Sequence, residues 1–150
     1  MNLIKNVDID QVAVQSSAST FLSAVVDLNG AEGCLFIAIG SSLLEGSTKI
    51  KLGIQGSTAS GGTYVDYDTA GWVSSTAPVT GSTARRVFAL DLYKPLKQYA
   101  KGVIAGASSG AIYLSGMVAI KYGIKRPGST TLNDSTKLAG STLNVSPTSS

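Results

Sequence analysis

The feature that most constrains the fold of this chain is an alternation of apolar and polar residues with a period of two, which recurs from about residue 20 to residue 122. The alternation is clear in residues 49–55, 86–93 and 112–122. Successive side chains of a β-strand point to opposite faces, so this period predicts strands with one buried face. No stretch longer than a few residues keeps the spacing of an amphipathic helix. The chain is therefore predicted to be all-β.

Glycine-rich turn segments separate the alternating runs, beginning with Asn29-Gly30, a strong hairpin signal. The resulting spacing of one strand per roughly 8–15 residues is typical of a sandwich or barrel. We predict a single antiparallel β-sandwich, jelly-roll-like, over residues 1–124. For residues 92–100, a short helical piece with Pro95 in its first turn and a loop are both compatible with the sequence.

The apolar faces of these runs are expected to meet in one hydrophobic core. In the last run, Gly116 is expected to hold the register, so that apolar residues before and after it share one buried face. The predicted core consists of Leu22, Val26, Phe36, Ile50, Leu52, Ile54, Phe88, Leu90, Val118 and Ile120. Val25, Ile37 and Ile39 fall on the opposite faces of their strands, which predicts cover by another molecule and self-association.

The alternation stops at Gly123, and eleven of the twenty-four residues from 127 to 150 are Ser or Thr. Such a segment has too few apolar side chains to fold alone. We predict that residues 125–150 form an extended arm that is disordered in the free protein. The arm is expected to become ordered against a partner, by adding a strand to a sheet edge of an adjacent subunit. Its candidate partner-binding residues are Lys125, Arg126, Leu132, Leu138, Leu143 and Val145.

The side chains that most enzymes use are scarce in this sequence. The chain has no histidine and one cysteine, Cys34, which removes the commonest general base and the usual zinc ligands. We therefore predict no enzymatic activity, no catalytic residues and no cofactor. Asp66 and Asp68 form a close carboxylate pair, which either shares a cation or faces solvent.

Net charge and hydropathy limit the kinds of partner that the chain is expected to bind. The formal net charge is +3, and much of the excess lies in the arm, where Lys125, Arg126 and Lys137 stand against Asp134. The nearly neutral body lacks the basic face that direct nucleic-acid binding uses. The apolar runs are shorter than the ~20 residues of a membrane-spanning helix, and the N-terminus shows no signal-peptide pattern. These observations predict a protein that folds in a reducing cytoplasm and binds no membrane.

Three segments, residues 86–92, 96–104 and 116–123, carry a resemblance to a known class. An aromatic and a basic residue enter a Val/Ile strand, and a small-residue turn precedes a final strand rich in Val, Ala and Ile. In this order of features, the chain resembles the small decoration or cement proteins of tailed-phage capsids. The resemblance implies a β-sandwich on the capsid exterior, often a trimer, that binds and stabilises the shell of major capsid protein. The long arm departs from the commoner pattern, which leaves a minor capsid or tail role open.

Two functions follow as expectations. The first is a structural virion protein, folded in the host cytoplasm and placed on the capsid exterior. The alternative is a carbohydrate- or receptor-binding module, including a tail component, in which Trp72, Tyr64, Tyr67 and Tyr113 would stack on sugar rings. A tryptophan such as Trp72 is more often a partly buried anchor of a sandwich.

Overall fold

The computed structural model describes residues 7–14, 16–18, 20–40, 50–67, 73–75, 86–106 and 112–124. Two antiparallel sheets pack against each other in this part of the chain, which contains no helix, so the predicted antiparallel β-sandwich is confirmed. The strands are β1 (Val7–Ala13), β2 (Ser16–Ala18), β3 (Thr20–Leu22), β4 (Val26–Asp27), β5 (Gly33–Gly40), β6 (Ile50–Ser57), β7 (Val65–Asp66), β8 (Val73–Ser75), β9 (Arg86–Tyr93), β10 (Tyr99–Gly106) and β11 (Ile112–Tyr122).

Each of the two sheets has long strands in its middle. Sheet I has the order β1-β11-β5-β9, with β2 paired to the early part of β11. Sheet II has the order β3-β10-β6-β7, with β4 paired to β10 and β8 to β6. The eleven-residue strand β11 lies between β1 and β5 and is the centre of sheet I.

The connection from β9 to β10 is a loop. Lys94 has φ 51°, a left-handed conformation that the interior of a right-handed helix does not contain. The Tyr67 hydroxyl holds the loop, because it accepts a hydrogen bond from the Lys97 N–H at 2.8 Å and donates one to the Lys97 carbonyl at 3.1 Å. Of the two alternatives for residues 92–100, the loop is therefore the one that forms.

The core lies between the inner faces of the two sheets. Of the predicted core residues, Val26 and Phe36 are buried, and Ile54, Phe88 and Leu90 are partly buried and pack against the core. The side chains of Ile50 and Leu52 lie outside the described part of the chain. The buried core residues are Val12, Phe21, Val26, Leu28, Cys34, Phe36, Ala38, Leu92, Ala100, Ile104, Leu114, Met117 and Ala119.

The prediction that Leu22 is a core residue is wrong. Leu22 is 56% exposed, while its neighbour Phe21 is buried. Ser23 causes this change in the phase of the alternation. Its N–H donates a hydrogen bond to the Gly102 carbonyl at 2.9 Å, and its Oγ accepts one from the Gly102 N–H at 2.9 Å. This contact interrupts the strand between β3 and β4, so the alternation before Ser23 is out of phase with that at Val26.

The prediction that Val118 and Ile120 belong to the core is also wrong, and so is the role assigned to Gly116. Leu114 and Gly116 lie opposite two consecutive residues of β5, so β11 contains one extra residue, a β-bulge. Because side chains alternate with a period of two, one extra residue moves every later side chain to the other face. Met117 and Ala119 consequently face the core, and Val118 and Ile120 face outward.

The two sheets pack closely at Gly102, where no side chain separates them. A Cβ atom built on Gly102 would lie 2.9 Å from Met117 Sδ and 3.0 Å from Phe36 Cδ1. A small apolar cavity beside this contact, with Phe88 and Leu90 in its lining, has a volume of about 10 Å³. That space is about what one water molecule needs, far below the 300–1,000 Å³ of a typical ligand pocket.

Truncation of Phe36 to Ala is expected to lower the free energy of unfolding by about 3–5 kcal/mol, because it leaves a cavity where the two sheets meet. Val87, which is 68% exposed, provides the matched control: Val87→Ala should change stability by about 0.5 kcal/mol or less. Urea denaturation followed by circular dichroism measures both. Equal losses for the two variants would contradict this placement of the core.

Candidate functional site

Sheet I carries apolar side chains on its outer face as well as on its inner one. Seven Ile, Leu and Val residues of the described strands are accessible to solvent on the outer face. Among them, Ile39 is 45% exposed and Val87 68%, and the other five are half-buried. The residues occupy neighbouring positions on four strands, so they form a continuous surface of roughly 300 Å² at about 4.8 Å between strands and about 3.4 Å per residue. By the strand register, the apolar part of the outer face of sheet I consists of Ile9, Leu35, Ile37, Ile39, Val87, Val118 and Ile120.

The outer face of sheet II is polar by contrast. Gln55 Nε2 donates to Asp66 Oδ1 at 3.0 Å, and the Lys101 ammonium lies 4.2 Å from the centre of the Tyr64 ring. Leu22 is an exposed aliphatic residue on this face. The apolar side chains that the register places side by side on four strands therefore belong to sheet I, and apolar patches of this size on a single protein are often functional.

Hydrogen-bonded tyrosines close one end of the outer face of sheet I. The absence of a side chain at Gly33 lets the Tyr122 ring lie across the strand, and its hydroxyl donates to Asp91 Oδ1 at 2.7 Å. Burial, with the hydrogen bond to Asp91, raises the pKa of Tyr122. The hydroxyl of Tyr93 donates to Glu32 Oε1 at 3.0 Å, and this bond raises the pKa of Tyr93. Both phenols remain protonated donors at neutral pH, so the apolar surface ends in a polar, ordered rim.

A charged cluster lies near this end of sheet I, on the side opposite the outer face. Lys121 Nζ lies 2.7 Å from Asp8 Oδ2 and 4.0 Å from Asp10 Oδ2, and the Lys121 and Asp8 side chains are only 17% and 9% exposed. The bulge in β11 places Lys121 here, and the carboxylates compensate its charge. Loss of one partner from such a pair leaves a poorly solvated charge, so the cluster is structural.

No cluster of metal-ligating side chains is present among the described residues. Three or more His, Cys, Asp or Glu side chains are nowhere close enough together there to hold a metal ion. Asp66 bonds Gln55, and Asp68 lies outside the described residues. The choice between a shared cation and solvent-facing acids at this pair is therefore untested.

Tyr67 and Tyr64, two of the aromatic residues considered for sugar stacking, make different contacts. Tyr67 is half-buried, and its hydroxyl is taken by the main chain of Lys97. Tyr64 packs beneath a lysine. Trp72 and the side chain of Tyr113 lie outside the described part of the chain. The two described tyrosines do not form a shared stacking platform.

The candidate partner-binding residues of the arm, Lys125, Arg126, Leu132, Leu138, Leu143 and Val145, all lie outside the described residues. Their role, and the division of the chain at residue 124, remain predictions.

Only part of the outer face of sheet I is predictable from the sequence. Ile37 and Ile39 were predicted to lie opposite the core, and the uninterrupted apolar run from residue 34 to 39 gave the signal. Val118 and Ile120 were assigned to the core. For Ile9 and Val87, the alternation does not indicate which face of the strand would bind a partner.

Comparison of the chain with protein-family models finds no match, and comparison with curated protein sequences finds none either. Within the described residues, no helix is long and apolar enough to cross a membrane.

The single thiol is expected to be inert in the folded protein. Cys34 is fully buried, and burial raises its pKa to about 12. Since the thiolate is the reactive species, labelling with a disulfide reagent at pH 8 should be roughly a thousandfold slower in native buffer than in 6 M guanidinium. Rapid labelling of a sample whose circular dichroism is unchanged would contradict the burial of Cys34.

Proposed function

We propose that the protein is a structural virion protein of the capsid decoration, or cement, class. In this proposal, the sandwich binds the outside of the major capsid shell and stabilises it, as the resemblance carried by residues 86–92, 96–104 and 116–123 implies. The observation that supports it most is the difference between the two outer faces of the sandwich. One is polar, and the other, the outer face of sheet I, is apolar and suited to cover by a protein.

The size of the apolar face fits an attachment that relies on repetition. Removing roughly 300 Å² of apolar surface from water at about 25 cal/mol per Å² gains roughly 7 kcal/mol. Association costs of about 4–15 kcal/mol absorb much or all of that gain. A single isolated contact would therefore be weak. Linked copies on a repeating shell gain affinity by multivalency, which is the situation of a cement protein that also associates with itself, as a trimer in the family it resembles.

A carbohydrate- or receptor-binding module, including a tail component, is the second candidate. The outer face of sheet II supports it, because amide, carboxylate and aromatic groups meet there. Gln98 Nε2 donates to Asp27 Oδ1 at 3.2 Å and to the Tyr99 hydroxyl at 3.2 Å. These groups are of the kind that hydrogen-bonds to sugar hydroxyls, although in the free protein they hydrogen-bond to one another.

Ile39→Asp tests the proposed docking face. Burial of an unpaired carboxylate in a protein interface is costly, so this variant should bind capsid shells, assembled from the major capsid protein of the same genome, roughly tenfold or more weakly than the natural chain. Leu22→Asp is the matched control, since Leu22 is a comparably exposed aliphatic residue on the other sheet. Co-sedimentation at increasing protein concentration measures both.

Equal shell binding by the two variants would count against the outer face of sheet I as the docking surface. If the natural chain does not bind shells but binds glycans, and loses that binding on Asp27→Ala, the second candidate function replaces the first.

A further inference from the structure

Among the described residues, one sheet edge of the sandwich is long and pairs with no further strand. Strand β9 is the last strand of sheet I and pairs with β5 over all eight residues without a register shift. Its sequence contains neither proline nor lysine, the residues that commonly blunt an edge. The edge strands β3 and β7 of sheet II have only three and two residues, and β1 is interrupted by a bulge. The described residues supply no partner for the other side of β9.

The hydrogen-bonding pattern identifies which groups of β9 face this edge. The Lys94 N–H donates to the Glu32 carbonyl at 2.9 Å, so this pair of residues is of the hydrogen-bonded type. Such pairs alternate along an antiparallel ladder. Four alternate residues of β9 consequently direct their N–H and C=O groups away from β5, and all four have exposed side chains. They are Val87, Ala89, Asp91 and Tyr93.

The core is incompletely covered beside this edge. Phe88 and Leu90 point inward from β9 but are only partly buried, whereas Leu92 on the same strand is buried. Both line the small cavity between the sheets. An added strand with apolar side chains at two alternate positions would cover Phe88 and Leu90 and continue sheet I.

The sequence contains one segment beyond β11 with this pattern. In residues 141–146, Ser-Thr-Leu-Asn-Val-Ser, the apolar residues Leu143 and Val145 are two positions apart, as Phe88 and Leu90 are. We propose that residues 141–146 of a neighbouring copy add as a strand to the free edge of β9, with Leu143 and Val145 on the inner side. The inference deepens the proposed function, on which it rests for the presence of neighbouring copies.

The position where β11 ends favours a neighbouring copy as the donor. Tyr122, Gly33 and Tyr93 lie in one cross-strand row, so β11 and β9 end at the same end of sheet I, about 10 Å apart. The β4–β5 and β9–β10 connections lie at this same end of sheet I. To reach the β9 edge of its own sheet, the segment would have to pass both of them. Connections in folded domains rarely cross in this way. Residues 125–140 are long enough to reach the next molecule, and exchange around a ring closes the assembly.

Two full-length variants test the proposal without any capsid present. Ala89→Pro removes an edge-facing N–H and leaves the bonds to β5 intact, so it blocks the acceptor. Leu143→Ser combined with Val145→Ser weakens the donor. Ala89→Thr keeps the N–H and is the matched control. Sedimentation velocity over a range of concentrations should show that the natural chain and the control associate. Each of the other two variants should associate roughly a hundredfold more weakly, since Ala89→Pro loses a main-chain hydrogen bond and its ring obstructs the added strand, and the donor variant loses its apolar anchors.

Mixing the two defective variants gives the decisive result. One supplies an intact donor and the other an intact acceptor, so a 1:1 complex should form although neither self-associates. This complex also demonstrates that Ala89→Pro is folded, and if that variant fails to fold, the donor variant decides alone, because its changes come after β11 in the sequence and alter none of the described strands. The proposal is overturned if the natural chain is monomeric, if the donor variant associates as well as the natural chain, or if mixing two folded variants restores nothing. Capsid binding by Ile39→Asp is measured separately, so either idea can fail without the other.

Discussion

The arrangement of the sandwich depends on the β-bulge between Leu114 and Gly116 in the central strand of sheet I. This strand bonds both β1 and β5, so its register determines the register of its neighbours. With the extra residue in place, Leu114, Met117 and Ala119 all face the core. A bulge in β1, between Gln11 and Ala13, lies beside it, and the two irregularities let the sheet keep its pairing while the faces exchange.

The same bulge has two consequences outside the core. It turns Lys121 to the inner side of the sheet, where Asp8 and Asp10 compensate its charge. It also turns Val118 and Ile120 outward, where they join Ile37 and Ile39 in the apolar outer face of sheet I. The irregularity that completes the core on one side of β11 therefore creates the surface proposed for docking on the other. Stability and the proposed docking surface are linked here through backbone register, because neither face can change without the other.

The period of two was sufficient to predict an all-β sandwich and the inward direction of Val26, Phe36 and Ile54. It failed where the backbone departs from a regular strand. A bulge and a side chain that replaces a main-chain hydrogen bond, as Ser23 does at Gly102, both shift the alternation, and neither has a signal in a hydropathy pattern. The polar outer face of sheet II depends on pairings between distant segments, such as Gln55 with Asp66 and Lys101 with Tyr64. These pairings follow from strand order, which the sequence pattern does not specify.

The docking role of the outer face of sheet I is tested most directly by hydroxyl-radical footprinting of the natural chain, free and bound to capsid shells. Side-chain oxidation measured by mass spectrometry distinguishes the two outer faces, since Ile39 and Val87 lie on sheet I and Leu22 on sheet II, and all three are exposed. Binding should lower oxidation of Ile39 and Val87 several-fold and leave Leu22 unchanged. Protection of Leu22 with undiminished oxidation of Ile39 and Val87 would contradict the account.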